Sequence, residues 1–299
     1  MPELPEVETV RRQLAPLVEG QILREIEILD ARWSRPLEPH ELADALRGRR
    51  VQRLHRRGKY LIWQLQDEVH LVQHLRMTGA VLCAPRPEPA HVRVRIELGP
   101  ARRRRRLVII DPRRFGTGEL VLGAAALERF FAARLGIEPL DERFTAAYLQ
   151  ALARGRSAPI KAFLLDQRAV AGVGNIYADE ALHRARVHPL RPAGALTRAQ
   201  YAQLRDAVLA ALLEGIDARG ATIDDFRHVD GFRGSFQDRF RVHRRAGDPC
   251  PTCGTTIVKM VVGGRGTYVC ERCQPRPRPR ATRRATRPSA RSAARPASR

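Results

Sequence analysis

Four cysteines late in the chain are spaced to hold a metal. Cys250 and Cys253 form one Cys-x-x-Cys pair, Cys270 and Cys273 another, with sixteen residues between the pairs. Two thiolates at that spacing reach one ion, and two such pairs make the four-sulfur set of a zinc ribbon. The intervening IVKMVVGGRGTYVC carries two short strand-like runs around Gly-Gly-Arg-Gly, a tight-turn signal. A closed four-thiolate zinc has no position open to substrate. The expected ion is therefore one structural Zn2+ that fixes the hairpin displaying Arg265. Cys83 stands alone and reads as a small buried apolar residue.

A second group opens the chain. Met1 precedes Pro2, and an initiator Met before so small a residue is normally trimmed. Pro2 would then carry a secondary amine. An α-amino pKa near about 8 leaves a useful neutral fraction at neutral pH. Such an amine attacks electrophilic carbon and forms an iminium. Glu3 and Glu6 flank it as possible proton carriers. The same residues also suit a plain helix start, with proline in the first turn and acids facing the dipole. Residue types alone leave both readings open.

Three further stretches carry weaker signals. Lys59, in RRGKY, borders the apolar run Tyr60–Leu65; it could reach a phosphate or donate a proton, or be a solvated strand-edge cation. Asp111-Pro-Arg-Arg-Phe-Gly116 is a loop with two cations and an aromatic, and Phe115 could wedge into a base stack. Met77, in HLRMTG, is a second candidate wedge; core packing competes for both. Gly172-Val173-Gly174-Asn175-Ile176 marks a tight turn whose following helix would offer free N–H groups to a phosphate.

The elements that must position these residues follow from periodicity. Val7, Val10, Leu14 and Val18 predict an amphipathic helix over 5–18. From about 22 to 122 short runs with partial alternation predict strands of a β-sandwich or barrel. Arg102–Arg106 is expected as a solvated loop between two of them. From about 144 to 216 the spacing is helical, and 217–239 is a Gly- and Asp-rich loop. The Pro/Arg/Ala/Ser tail is expected to be disordered. No apolar run reaches the roughly 18 residues of a membrane span, and the start lacks the apolar region of a secretory signal. No membrane partner is expected, and the expected location is cytoplasmic, on the nucleoid in a bacterium.

The formal net charge is +22. Residues 274–299 hold nine Arg and no acid, so the remainder is still +13 (22 − 9). That excess implies a polyanionic partner, foremost nucleic acid.

Taken in order, MPELPEVET, RRGKYL, HLRMTG, DPRRFG, AGVGNIYADE and the paired cysteines make the chain resemble the formamidopyrimidine-DNA glycosylase family over residues 1 to about 274. Leu4, where the sister endonuclease VIII group carries Gly, favours the purine-directed branch. The resemblance implies an α+β multidomain fold. A catalytic domain of N-terminal helix and β-sandwich would span 1–134, a helix-two-turn-helix DNA-binding domain 135–235, a zinc β-hairpin finger 236–274 and a basic tail 275–299. It implies a monomeric base-excision-repair enzyme that removes oxidised purines from double-stranded DNA and cleaves the strand by β,δ-elimination. Pro2 would be the nucleophile at C1′, Glu3 the acid/base, Lys59 tied to β-elimination and Arg265 to δ-elimination. Met77, Arg113 and Phe115 would fill the gap left by the extruded base. Asn175, His91, Arg156, His74 and Lys161 would contact DNA, and 217–235 would close over the flipped base. The dense Arg102–Arg106 run and the long tail depart from the family pattern. Two other readings are a basic zinc-ribbon protein that only binds DNA, and a pyrimidine-directed relative with the same chemistry.

Overall fold

The computed structural model describes residues 2–100, 104–223 and 229–277. The expectation of a disordered tail falls, from 278 onward, outside the described residues, as does part of the predicted closing loop at 224–228.

The first helix, α1 (Leu4–Val18), begins at once because its end is capped from both sides. The Glu3 side chain accepts from the Glu6 N–H while the Glu6 carboxylate accepts from the Glu3 N–H at 2.8 Å, and proline sits in the first turn. Val7, Val10, Leu14 and Val18 are fully buried, as their spacing predicts.

Two four-stranded antiparallel sheets follow. One runs β1 (Leu23–Ile28), β6 (Val92–Leu98), β7 (Arg105–Ile110), β5 (Ala80–Cys83); the other β2 (Val51–Arg57), β3 (Tyr60–Leu65), β4 (Val69–His74), β8 (Thr117–Leu122). Their facing side chains and α1 share one core that includes Val10, Leu14, Trp63, Leu71, Val94 and Leu107. Every residue of β4 is buried. Its second face is covered by Phe131 and Leu135, which pack on Ile62, Val72 and Val121.

Two short helices escape the periodicity reading. Helix α2 (Pro39–Leu46) has eight residues and buries only Leu42, Ala43 and Leu46; α3 (Ala124–Ala132) buries only Phe131. Helix α2 lies inside the stretch read as strands, and α3 lies between the strand and helix readings. Of the arginine run, Arg102 and Arg103 lie outside the described residues and exposed Arg104 precedes the strand, but the rest differs from expectation. Arg105 and Arg106 are strand residues paired with Leu98 and Glu97. Arg106 is exposed and bonds Glu88, and Arg105 reaches the Leu17 carbonyl. An alternating strand accepts cations on its solvent side, so a charged run need not be a loop.

The helical lobe holds α4 (Ala146–Ala153), α5 (Ile160–Leu165), α6 (Asn175–Arg184) and α7 (Arg198–Asp217) around Phe163, Val173, Tyr177, Leu204 and Leu212. Leu4 of α1 belongs to this core, not to that of the sandwich. The last element is a hairpin, β9 (Val258–Val262) and β10 (Arg265–Val269). Val262 pairs with Arg265, leaving a two-residue turn of Gly263 and Gly264 with φ of 56° and 72°. A primed turn needs positive φ at both positions, hence two glycines.

Because Leu4 plugs the second lobe from the first, Leu4→Ala is expected to cost about 2–5 kcal/mol in a denaturant titration. A loss under about 1 kcal/mol would mean that Leu4 is not tightly packed there.

Candidate catalytic cleft and nucleic-acid interface

A cleft of about 510 Å³ opens between the lobes, and Glu3, Lys59, His74, Met77, Asn175 and Arg265 all line it. These six are scattered from one end of the sequence to the other. Glu3 precedes α1, Lys59 sits in the turn between β2 and β3, and His74 ends β4. Asn175 opens α6, and Arg265 opens β10. Pro2 is buried beside Glu3.

Glu3 is 2% exposed. Its carboxylate accepts from the N–H of Ile176 at 2.9 Å and of Tyr177 at 3.4 Å, in the first turn of α6. The positive end of the dipole favours an anion there. This corrects the expectation that these N–H groups are free for phosphate: two of them are already taken by Glu3. Gly174 is required by the approach, since a Cβ on it would stand 2.2 Å from the Glu3 carboxyl carbon. Gly172, at φ +91°, meets Leu4 in the same way at 2.6 Å. Glu6 is buried behind Glu3 and accepts from Tyr177 Oη and the Ala221 N–H, both at 2.7 Å. Burial, and then the charge of Glu3, push the Glu6 carboxyl above the usual range.

The cations of the cleft differ in setting. Lys59 is 5% exposed. Burial pulls its ammonium below the ordinary lysine range, against the opposing pull of Glu3 and Glu6. Arg265 is exposed at the hairpin tip. His74 is held down to about 3 by burial first, then by Arg76 and Lys59, so it is neutral. Its Nδ1 accepts from the Arg76 N–H at 2.9 Å, and Tyr60 meets its ring edge-on at 4.6 Å.

The Asp111–Gly116 loop is shaped by a residue whose role the sequence did not disclose. Asp111 Oδ2 accepts from the N–H of Phe115 at 2.8 Å and Gly116 at 2.7 Å, while Thr78 donates to Oδ1. The two arginines then part. Arg114 makes a bidentate pair with buried Asp30 at 2.6 and 2.8 Å, and that hydrogen bonding holds the Asp30 carboxyl down to about 2. Arg113 lies over the Phe115 ring at 5.0 Å, and Phe115 is 52% exposed. One cation anchors the loop and the other stays with the protruding ring.

Four further candidates lie as follows. His91 is exposed, with φ +64°. Arg156 is exposed, 3.5 Å from Asp166. Asn175 Nδ2 donates to the Gly266 carbonyl at 2.9 Å, so its amide grips the hairpin, and its Oδ1 has no protein partner. Lys161 departs from expectation. It is wholly buried; Nζ forms an ion pair with Asp179 Oδ1 at 2.7 Å and donates to Thr267 Oγ1 at 2.7 Å and Gly266 O at 3.1 Å. An ammonium has three donors. Two of them are used on the hairpin, and with no surface of its own Lys161 bolts the hairpin to α5 and α6 rather than meeting a phosphate.

The hairpin is held again at its base. Glu180 accepts from the N–H groups of Arg241, Val242 and His243, and His243 Nδ1 meets Asp179 Oδ2 at 2.8 Å. The four cysteine Sγ atoms lie within 4.8 Å of one another, with 3.4 Å between Cys253 and Cys270 and 3.9 Å between Cys250 and Cys273. A tetrahedral ion with Zn–S near about 2.3 Å needs sulfurs roughly 3.8 Å apart. The set fits zinc, and His183 Nε2 lies 3.4 Å from Cys250 Sγ, placed to support a thiolate.

Comparison with known proteins agrees with this layout. Residues 1–118 match the formamidopyrimidine-DNA glycosylase N-terminal domain, 135–227 the H2TH domain of the same enzymes, and 247–276 a zinc finger found in FPG and IleRS. A formamidopyrimidine-DNA glycosylase of Symbiobacterium thermophilum is 44% identical over 279 residues, 93% of this chain and 90% of that protein. That of Chloroflexus aurantiacus is 43% identical, covering 92% and 98%. The MutM (Fpg) protein of Thermus thermophilus superposes with a TM-score of 0.81 at 44% identity, over 91% of this chain and 98% of that one. Lactococcus lactis Fpg in complex with DNA containing an abasic site gives 0.85 at 35% identity, over 92% and 100%.

Two outcomes follow. The His74 pKa in the fold, about 3, lies below its ordinary 6.5. Between those values the unfolded chain takes a proton that the native one refuses. The stability from a neutral His74 is thus complete above 6.5 and lost as pH falls toward 3. His74→Gln should flatten the fall of unfolding free energy between pH 6.5 and 4, by up to ~1.4 kcal/mol per pH unit. An unchanged slope would remove His74 from the acid response. Separately, metal analysis should find one zinc per chain, and chelation should open residues 247–276 to protease while the sandwich stays resistant.

Proposed function

This chain belongs to the formamidopyrimidine-DNA glycosylase family, and we propose that its cleft holds damaged double-stranded DNA and that Pro2 is the nucleophile. The activity is that of a bifunctional DNA glycosylase and AP lyase acting on oxidised purines. One observation carries the assignment of residues: Glu3, Lys59 and Arg265 line one cleft, with Pro2 buried immediately beside Glu3.

With Met1 removed, the Pro2 nitrogen attacks C1′ of the damaged nucleotide and the base leaves with the glycosidic electron pair. Glu3 exchanges the proton that opens the sugar ring, giving an iminium between Pro2 and C1′. The iminium acidifies C2′. Loss of that proton expels the 3′ phosphate, and a second elimination expels the 5′ phosphate. Lys59, whose burial favours the neutral amine, is suited to take a proton or meet a phosphate in the first elimination. Arg265 stands at the hairpin tip for the second. The zinc serves structure: Cys250, Cys253, Cys270 and Cys273 would hold it and so fix the hairpin.

A base inside a duplex is out of reach, so the nucleotide must swing out at a cost of a few kcal/mol. Met77, Arg113 and exposed Phe115 would offset that cost by occupying the emptied stack. Asn175, His91, His74 and Arg156 would line the path of the strand; Lys161, wholly buried and paired with Asp179, is not among them. The enzyme would work as a monomer in the cytoplasm, on the nucleoid. Among the described residues no helix is long and apolar enough to cross a membrane.

Borohydride should trap a covalent adduct on a duplex bearing one 8-oxoguanine opposite cytosine. Pro2→Gly and a form retaining Met1 should lose it or keep only a trace. Tight binding without adduct or strand cleavage would instead favour a protein that only binds DNA.

A further inference from the structure

Expelling the second phosphate requires that a proton leave the sugar, and Arg265 cannot take it. A guanidinium stays protonated at any physiological pH and only donates. The other groups of the cleft are committed. Lys59, once it has taken the first proton, is an ammonium. Glu3 accepts at both oxygens from the N–H groups of Ile176 and Tyr177. His74 is held down to about 3 by burial first, then by Arg76 and Lys59, and its Nδ1 lone pair already accepts from the Arg76 N–H. His243 lines the same cleft as Arg265 and Gly266, and it takes part in none of the preceding steps.

The setting of His243 is that of a base. Its Nδ1 lies 2.8 Å from Asp179 Oδ2. A carboxylate only accepts, so Nδ1 carries the hydrogen and the lone pair of the neutral ring is on Nε2. Nε2 has no hydrogen-bond partner among the described residues and is not one of their enclosed polar atoms, so it is the ring's open edge on the cleft. The ring is held in place. Phe240 and Tyr268 meet it edge-on at 5.3 and 5.1 Å, and the His243 N–H donates to Glu180 at 2.9 Å. Asp179 is pinned in turn, its other oxygen ion-paired with Lys161 at 2.7 Å. The carboxylate thus fixes the tautomer and would balance an imidazolium once one formed.

We propose that His243, oriented by Asp179, is the base of the second elimination, and that Arg265 receives the phosphate that leaves. The proposal rests on the reading above for the iminium on Pro2. After the first elimination that iminium is conjugated with a C2′–C3′ double bond, which acidifies C4′. Nε2 takes the C4′ proton, and the electrons of the broken bond pass into the conjugated chain to give a dienamine. The nitrogen lone pair then pushes back: a C4′–C5′ double bond forms, the C5′–O bond breaks, and the phosphate departs with that electron pair. Nothing is oxidised or reduced, and the proton ends on His243. Arg265, a fixed cation, meets the developing charge. One clamp sets both residues, because Lys161 binds Asp179 and also Gly266 and Thr267 of the strand that Arg265 opens.

The test uses the full chain on a duplex with one preformed abasic site, so that base removal is bypassed. Strands ending in the unsaturated aldehyde of the first elimination and in the 3′ phosphate of the second are separated and timed. Wild type should give the borohydride adduct and both products in sequence. His243→Phe keeps an aromatic ring between Phe240 and Tyr268. It should give the adduct and the first product at the wild-type rate, and the second product at least about a hundredfold more slowly, the scale of a lost general base. His243→Ala should fail at the same step, and imidazole in the medium should restore it, which a merely structural loss would not allow. A second product formed by His243→Phe within about threefold of the wild-type rate would overturn the proposal. So would a His243→Ala enzyme that imidazole leaves unrestored, which would make the ring a prop for the hairpin. No adduct in the wild type would instead bring down Pro2 as the nucleophile, and this proposal with it.

Discussion

A buried carboxylate on the first turn of a helix from another lobe organises this molecule. Glu3 is nearly excluded from water, which would be costly for an isolated charge. The backbone donors of Ile176 and Tyr177 and the dipole behind them make the position tolerable. Everything near it is cut to permit that meeting. Gly172 and Gly174 lack the Cβ that would collide with Leu4 and Glu3, and Leu4 enters the helical core because its neighbour has docked. Glu6, one turn along, reaches Tyr177 and Ala221 and ties in the end of α7. The carboxylate nearest the proposed nucleophile is thus also the rivet between the lobes.

Helix α6 carries the same logic to the finger. Its first turn receives Glu3, Asp179 receives Lys161 and His243, Glu180 collects three backbone donors, and His183 faces Cys250. Ten residues therefore connect the chain's beginning with its zinc hairpin. Removing one partner of the Lys161–Asp179 pair would leave an uncompensated buried charge, a much larger penalty than the pair's net contribution.

Much of this was legible in sequence, and the division has a physical basis. Helix α1 announced itself because four valines and leucines repeat at helical spacing. The cysteines did so because two thiolates must be close in sequence to share an ion. Arg113 and Phe115 were visible because the loop concentrates unusual residue types. What stayed hidden was mostly partnership at long range. Nothing local distinguishes Lys161 from a surface lysine; its partner Thr267 lies 106 residues away. Nothing local shows that Asp30 claims Arg114, or that Glu3 occupies donors seemingly on offer to phosphate. Helix α2 was missed because it interrupts a run of strands, and helix α3 because it falls between the strand and helix stretches.

Fastening the lobes with buried hydrogen-bonded charges has a mechanical result. Widening the cleft at that point would strand Glu3 and the first turn of α6 without partners in a dry interior, whereas a hinge of loose apolar surfaces could slide. The buried contacts at that point therefore oppose widening of the cleft. A duplex held against such a joint would find it easier to bend and unstack than to part the lobes, so the work of deformation would fall on the nucleic acid.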